Sequence, residues 1–379
     1  MRAVRLFLAL GVAGAAACGS SPTGDDTGDD IPPDVWESRL AERALDYNAA
    51  LRTAALRLTG DLPSLAEIKA VADAGDAAAQ KTVYESLLRS YLEGPRFARQ
   101  ALSFWRDSMK LGGSARMDTA PAFAAQLTVE NRGFTELLTA ATGTCPTFDA
   151  GAGTFAAADC TNGVTPAAGV LSNPGVMAQF QSNLAFRRVR WVQEMFACTA
   201  FPTELTGAPP EGSPTFLSPW TMESIAGTAN GGTIDFHDTS AVICANCHGT
   251  MNHMAPLFGS FDDDGQLQPT IQVRTPLPGT PLALRTDWLP GAEPTAWRFG
   301  KPAADLPALG AAMAADPAIA ECAVVRLWAW ALGKGDPVDT LTVIPPEVIA
   351  TQVTAFTANG GKLKDAIFAV YTSDDFMRF

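Results

Sequence analysis

The segment Cys244-Ala245-Asn246-Cys247-His248 constrains this chain more than any other feature of its sequence. Two cysteines three positions apart, followed directly by a histidine, form the C-x-x-C-H pattern that attaches a c-type haem. In that chemistry both thiols become thioethers of one porphyrin, and the histidine ligates the iron from one face. A chain with seven cysteines and three histidines has few chances to match this pattern by accident. The pattern predicts covalently bound haem c at Cys244, Cys247 and His248.

Two other chemistries use closely spaced cysteines. Structural zinc needs four ligands, usually from a second paired set, and neither His237 nor His253 has that spacing. A thioredoxin-like redox pair follows a strand in a βαβ unit, and the sequence around the motif shows no such unit. Haem attachment is therefore the favoured interpretation.

The ligand on the second face of the iron decides between an electron carrier and a haem with an open site. Met251 lies about one helical turn from His248 and hence on the same side of the ring. His253 is the tentative second ligand, since the chain after a helix end could reach round the porphyrin edge. Met254, Met313 and the absence of any protein ligand stay open as alternatives.

The first residues indicate export. Arg2 and Arg5 precede an apolar stretch at 6–17, which is too short to span a bilayer, and small residues precede Cys18. We interpret 1–18 as a signal peptide with a lipobox and Cys18 as the lipidated residue. Ordinary signal-peptidase cleavage after Ala17 is the alternative. Residues 19–33 are poor in apolar side chains and rich in Asp, Gly, Ser, Thr and Pro, which predicts a disordered acidic tether.

Export and charge bound the location and the partners. The segments above place the protein in a bacterial cell envelope, lipid-anchored at the outer membrane and facing the periplasm or the cell surface. The formal net charge is −13, and no large Lys/Arg cluster is present. Nucleic acid is therefore excluded as a partner, because phosphate binding needs a basic footprint. The expected partners are the membrane, through the lipid anchor, and an extracytoplasmic redox protein.

Four cysteines remain after these assignments: Cys145, Cys160, Cys198 and Cys322. An oxidising compartment favours two disulfides among them. Cys145 and Cys160 bracket a Gly/Ala/Thr-rich loop and are expected to pair locally. Cys198 and Cys322 adjoin apolar helical stretches and are expected to pair across the fold. Buried free thiols are the alternative.

Apolar side chains recur at three- and four-residue steps along much of the chain, which predicts a mainly α protein. We expect multi-helix bundle domains, a cytochrome c-like haem segment and Pro/Gly-rich loops, with little β structure. One alternating stretch, 266–273, is a candidate hairpin strand. The predicted parts are a helical domain at 34–200, a Pro-rich linker at 201–240, a haem segment at 241–300 and a C-terminal helical domain at 301–379 that packs on the haem segment.

Two charged segments need an interpretation. Arg187, Arg188 and Arg190 form a basic spot, which fits a solvated or locally paired face better than a contact with a haem propionate or an acidic partner. Asp262-Asp263-Asp264-Gly265 suggests a calcium loop, but the Glu that such a loop needs further on is missing. We interpret it as an acidic turn.

Several segments form an ordered set of short motifs: R-L-T-G-D-L-P-S at 57–64, W-R-D at 105–107, N-R-G-F-T-E-L-L at 131–138, G-V-L-S at 169–172, W-V-Q-E at 191–194, A-P-L-F at 255–258, F-D-D-D-G at 261–265, A-L-G-K at 331–334 and T-S-D-D-F at 372–376. With the haem motif, this order resembles the planctomycete-type cytochrome c-like proteins, in their myxobacterial-type lipoprotein form. The resemblance implies haem binding and a redox function outside the cytoplasm, without a defined substrate. The segment 251–256 departs from the I-D-P or M-D-P turn of that family.

Three functions follow from these features. The favoured one is electron transfer by an extracytoplasmic haem c lipoprotein. The second is a haem-dependent oxidoreductase or peroxidase with an open iron site. The third is a structural or ligand-binding surface lipoprotein. Whether the chain is an enzyme stays open, although no nucleophile motif accompanies a histidine, which argues against a hydrolase.

Overall fold

The structure is a computed structural model. It describes residues 38–39, 41–200, 220, 224–227, 231–236, 242–298, 300–338 and 344–379; for residues 242–246 it describes the backbone. The predicted signal peptide with Cys18, the tether at 19–33 and most of the linker at 201–240 lie outside these residues.

Helices make up most of the described chain, as the apolar periodicity predicts. The helices before the disulfide loop are α1 (Tyr47–Thr59), α2 (Leu65–Ala72), α3 (Ala77–Glu93), α4 (Pro95–Met109), α5 (Thr119–Val129) and α6 (Glu136–Thr139). The later helices are α7 (Pro174–Gln179), α8 (Phe186–Ala197), α9 (Val242–Met254), α10 (Leu306–Ala314), α11 (Pro317–Ala331), α12 (Pro346–Ala358), α13 (Leu363–Tyr371) and α14 (Asp374–Met377). The mainly α prediction is confirmed.

Local sequence explains where several helices begin and end. Gly60 ends α1 in the left-handed conformation, at φ 78°, which glycine adopts without a side-chain penalty. Ser64 and Glu67 form a capping box at the start of α2, each side chain accepting a hydrogen bond from the other's backbone N–H. Pro95 is the first residue of α4, where its missing N–H costs nothing.

The first and last helices of the described chain share one core. Helix α14 contacts α1, and α13 contacts α5. The Asp46 N–H donates to the Met377 carbonyl (3.0 Å), and the buried Tyr84 hydroxyl donates to the Tyr371 carbonyl (2.7 Å). Residues Leu45–Phe379 accordingly form one compact unit, and the boundaries expected at 200, 240 and 300 fall within it.

The strands are short and antiparallel. Strand β1 (Thr147–Asp149) pairs with β2 (Thr154–Ala156), and β3 (Ala296–Trp297) pairs with β4 (Lys301–Pro302). The candidate hairpin strand at 266–273 forms no strand; Leu267 makes only an isolated antiparallel bridge with Phe261, and the rest of its backbone bonds to loops. The Leu267 N–H donates to the Asn162 carbonyl, and the Gln272 N–H donates to the Gly259 carbonyl.

Among the described residues, no single helix is both long enough and apolar enough to cross a bilayer; the bent pair α10–α11, which turns by 73°, reaches that length and composition only when its two helices are taken together.

Asp316 joins the β3–β4 hairpin to α11. Its carboxylate accepts hydrogen bonds from the Trp297 indole (2.8 Å) and the Arg298 guanidinium (3.0 Å), and from the Ala318 N–H at the start of the helix (3.2 Å). Burial raises the pKa of the Asp316 carboxyl, but these hydrogen bonds and the Arg298 charge outweigh burial and hold the pKa below its usual value.

We expect Asp316→Asn to lower the free energy of unfolding by about 1.5–3 kcal/mol at pH 7, because charge-assisted hydrogen bonds are lost. The folded-state pKa is depressed, so this contribution is complete above the unfolded pKa of about 3.9 and is lost as the pH falls through the folded value. Urea titrations at pH 7 and pH 3 measure the difference from wild type, which shrinks at pH 3.

Asp305→Asn is the matched control for this measurement. Asp305 caps α10 through the Ala308 N–H alone (2.8 Å), and Asn caps a helix about as well as Asp. An Asp316→Asn effect no larger than that of Asp305→Asn would show that the hairpin contacts add no stability.

Candidate functional site around the C-x-x-C-H helix

Helix α9 carries the whole cysteine–histidine motif. The backbone of Cys244 lies in its first half, the Cys247 side chain is half-buried, and His248 follows it. The helix runs to Met254 and passes into a 3-10 turn at Ala255–Phe258, where Pro256 cannot continue the α-helical hydrogen bonds. The motif is therefore helical and ends at a proline turn.

His248 lies against two phenylalanine rings. The Phe236 ring stacks on its imidazole, with centroids 4.5 Å apart, and the Phe186 ring meets it edge-on at 5.4 Å. Nδ1 of His248 lies 3.4 Å from Oδ1 of Asn252, one turn later on α9. Burial lowers the pKa of His248 below its usual value, against the opposing effect of the Asn252 hydrogen bond. The imidazole is therefore neutral at pH 7.

The tautomer of His248 follows from its hydrogen bond. An amide oxygen only accepts, so Nδ1 carries the proton in the contact with Asn252. In a neutral imidazole this leaves the lone pair on Nε2, the nitrogen that can act as a ligand. Asn252 is fully buried, and its amide nitrogen has no hydrogen-bond partner among the described residues.

His253 is fully buried and both of its ring nitrogens are engaged. Nδ1 donates to the Gly249 carbonyl, and Nε2 lies 2.9 Å from a carboxylate oxygen of Glu293. The Trp220 ring stacks on the imidazole with centroids 3.4 Å apart. Burial lowers the pKa of His253, while the Glu293 hydrogen bond and charge raise it. Both ring nitrogens of His253 are therefore engaged by protein partners and directed away from any ligand.

The predicted metal-binding group requires correction. Within the part of the chain that the structure describes, no three His, Cys, Asp or Glu side chains come together where they could hold a metal ion. The prediction of a metal-binding group of protein side chains that includes His253 is wrong for these residues. The physical reason is that Glu293 and the Gly249 carbonyl use both nitrogens of His253. The sequence contained no local signal of the Glu293 contact, 40 positions away.

The two methionines considered as second ligands lie in the core. The Met254 sulfur is fully buried and accepts a hydrogen bond from the Gln193 amide (3.3 Å). Met313 is fully buried in α10, which packs against α6 and the β3–β4 hairpin. Both therefore act as core residues in this fold.

Arg188, from the basic spot, is fully buried and holds the turn that follows α9. Its five N–H groups donate to four carbonyls, those of Met177, Phe258, Phe261 and Asp262, at 2.7–3.1 Å. Burial lowers the pKa of Arg188 to about 10, so the group stays charged at pH 7. Arg188 therefore fits neither earlier interpretation, because it is not on a solvated face and its donors are used by backbone carbonyls. Arg190, by contrast, pairs with Glu194 on the surface (2.6 Å).

In the acidic turn after α9, residues of the turn itself donate hydrogen bonds to the Asp262 carboxylate. The Asp262 side chain accepts from the backbone N–H groups of Asp264 and Gln266 and from the Gln268 amide. Burial raises the pKa of Asp262, yet these hydrogen bonds bring the pKa below its usual value. The segment is an acidic turn, as the sequence indicates.

Two disulfides tie the described chain. Cys145 bonds to Cys160 and Cys198 bonds to Cys322, with Cα atoms 5.0 and 5.4 Å apart, and these are the pairs that the sequence favours. Disulfides of this kind persist in oxidising compartments.

The comparisons with known proteins identify no relative: no family model, no curated protein and no solved structure matches this chain. The resemblance to the planctomycete-type cytochrome c-like proteins therefore stays a prediction. The site must be interpreted from its own chemistry.

Proposed function

We propose that this chain is an extracytoplasmic electron-transfer protein that carries haem c on α9, with thioether bonds at Cys244 and Cys247 and His248 as the axial ligand. The observation that carries the proposal is the placement of His248. Its imidazole lies directly after Cys247 on α9, packs against Phe186 and Phe236, and has its Nδ1 3.4 Å from the Asn252 side chain, so Nε2 is the nitrogen that would ligate a metal. A thiol and such an imidazole on adjacent positions of one helix are a donor set that fits a c-type haem.

The chain's own residues prepare this donor set. The Asn252 side-chain oxygen accepts a hydrogen bond from Nδ1, which orients the imidazole and increases the basicity of Nε2. The rings of Phe186 and Phe236 cover the imidazole and keep water away from it. Arg188 fixes the turn after α9, which sets the end of the helix. When bound, haem supplies one-electron redox chemistry.

The compartment supports the same proposal. Haem c attachment takes place outside the cytoplasm, and the Cys145–Cys160 and Cys198–Cys322 disulfides suit an oxidising environment. A lipid on Cys18 would hold the protein at the cell envelope. The net charge of −13 favours a basic redox partner over nucleic acid, since opposite charges steer encounter.

The experiment that tests the proposal is production of the full chain in cells with an active haem c maturation system. We expect a coloured protein whose intact mass includes a covalently bound haem and whose pyridine haemochrome spectrum is of the c type. The double variant Cys244→Ser/Cys247→Ser loses both signals, because no thioether forms. His248→Ala lowers the yield of attached haem.

His253→Gln is the matched control, because His253 lies on the same helix but is bonded to Glu293 and Gly249. It keeps the covalent haem. A colourless wild-type protein from cells that mature a second, known c-type cytochrome would overturn the proposal. If the haem binds carbon monoxide without displacement of a ligand, the iron has an open site, and the result would favour an enzyme over an electron carrier.

A further inference from the structure

A cavity of about 260 Å³ lies away from α9, where the ends of α1, α4 and α11 meet. Its walls combine charged and aromatic side chains, among them Arg57, Asp107, Arg326, Trp330, Lys334 and Asp336. Drug-sized ligands occupy cavities of roughly 300–1,000 Å³, so this one suits a smaller molecule.

Three of the short sequence motifs meet at this cavity. Arg57 belongs to R-L-T-G-D, Asp107 to W-R-D and Lys334 to A-L-G-K, and all three residues line it. The motifs are far apart along the chain and none of them belongs to the C-x-x-C-H helix. Their convergence marks a second place where polar side chains are gathered.

The Arg57 guanidinium is held over a glycine. A Cβ atom at Gly333 would lie 2.3 Å from Nη2 of Arg57, and Gly333 has φ +67°, where a side chain is strained in any case. The glycine therefore makes room for the guanidinium beside the cavity. Arg57 is half-buried, and its N–H groups have no hydrogen-bond acceptor or ion-pair partner among the described residues.

The charges around the cavity leave a positive excess. Arg326 is buried and neutralises Asp336 (2.9 Å), while its other N–H groups donate to the carbonyls of Met195 and Glu194. Among the described residues that line the cavity, Arg57 and Lys334 then stand against one remaining carboxylate, that of the exposed Asp107. A guanidinium with free donors binds a carboxylate through two parallel hydrogen bonds.

An aromatic wall completes the cavity. The half-buried Trp330 ring lies against Phe104, with centroids 4.9 Å apart, and both line the cavity. Such a wall favours a flat, apolar body next to the charged end of a ligand.

We infer that this cavity binds a small planar carboxylate, whose anionic end lies on Arg57 with Lys334 at the rim and whose flat body packs on Trp330. The site is independent of the haem proposal, because none of its residues belongs to α9. Benzoate is the probe of this chemistry, and benzamide is its uncharged counterpart of nearly the same shape.

The test is a calorimetric titration of the purified exported chain with each probe, supported by ligand-observed NMR. We expect saturable one-site binding of benzoate, binding of benzamide weaker by about ten-fold or more, and a similar loss for benzoate in Arg57→Gln. Added salt weakens benzoate binding, because part of it is electrostatic. Arg52→Gln, an exposed arginine on the same helix, binds benzoate like wild type.

The contrary outcomes are also defined. An Arg57 that only stabilises the carbonyl end of α1 would change the unfolding midpoint in Arg57→Gln and leave benzoate affinity unchanged. Equal affinities for benzoate and benzamide would show that the negative charge of the ligand does not contribute to binding. No saturable benzoate binding up to about 10 mM, where a site of millimolar affinity fills, would overturn the inference. If Arg57→Gln fails to fold, Arg57→Lys replaces it, because Lys keeps the charge but loses the paired donors.

Discussion

Removal of the Cys198–Cys322 disulfide should lower the free energy of unfolding by about 4–5 kcal/mol, as measured by urea unfolding of Cys198→Ser/Cys322→Ser against wild type. The bond spans 124 positions, so its loss releases a long loop in the unfolded chain. Reduction of Cys145→Ser/Cys160→Ser with dithiothreitol should give the same shift, because that variant keeps only the long bond.

This disulfide connects the end of α8 to α11, beside another side-chain connection between the two helices. Cys198 caps the end of α8 at φ 49°, and Cys322 lies in the first half of α11. One turn after Cys322, Arg326 donates to the carbonyls of Met195 and Glu194 and makes the same connection between the two helices.

The shorter disulfide is the internal control. Cys145→Ser/Cys160→Ser opens a loop of 15 positions, and the expected loss is about 3 kcal/mol. The Cys198–Cys322 disulfide, which closes the longer loop, is therefore expected to contribute more to the free energy of unfolding. A smaller loss for Cys198→Ser/Cys322→Ser than for the short pair would contradict the loop argument and point to residual structure in the unfolded chain.

Arg188→Met should cost about 3–5 kcal/mol, because it removes a buried charge whose five N–H groups satisfy four backbone carbonyls. Without the guanidinium, the carbonyls of Phe258 and Asp262 keep only backbone bonds from Phe261 and Gly265, and the Phe261 carbonyl loses the Arg188 bond next to the end of α9. Urea unfolding followed by circular dichroism gives the change in stability.

Two variants make this measurement specific. Arg190→Met, two residues later, removes only a surface pair with Glu194 and should cost less than about 1 kcal/mol. Arg188→Lys keeps the charge but supplies three donors in place of five, so its loss should fall between the two. Equal stabilities of Arg188→Met and Arg190→Met would mean that water replaces the guanidinium among these carbonyls.

Structural features that depend only on residues close together in the sequence were predictable. The capping box at Ser64 and Glu67, the glycine end of α1 and the proline start of α4 depend on neighbours within four positions. The α-helical period is equally local, since each apolar residue is placed by its distance from the next.

The candidate site was predictable only in part, and the reason is visible in two residues. The C-x-x-C-H spacing located His248 on a helix, but not the Phe236 ring that covers it. His253 has the same chemistry in the sequence, yet its partner Glu293 lies 40 positions away and removes it as a ligand. A spacing rule holds no information about such contacts.

The sequence by itself determined the helical class, the helix ends and the position of the motif whose spacing is typical of haem attachment, because these depend on short-range spacing and backbone geometry. The tertiary structure alone decided that Arg188 is a buried clamp for the turn after α9 and that Arg57 meets Gly333 and Lys334 at a cavity. Burial and long-range contacts set those roles, because the energy of a charged side chain depends on which atoms replace its water.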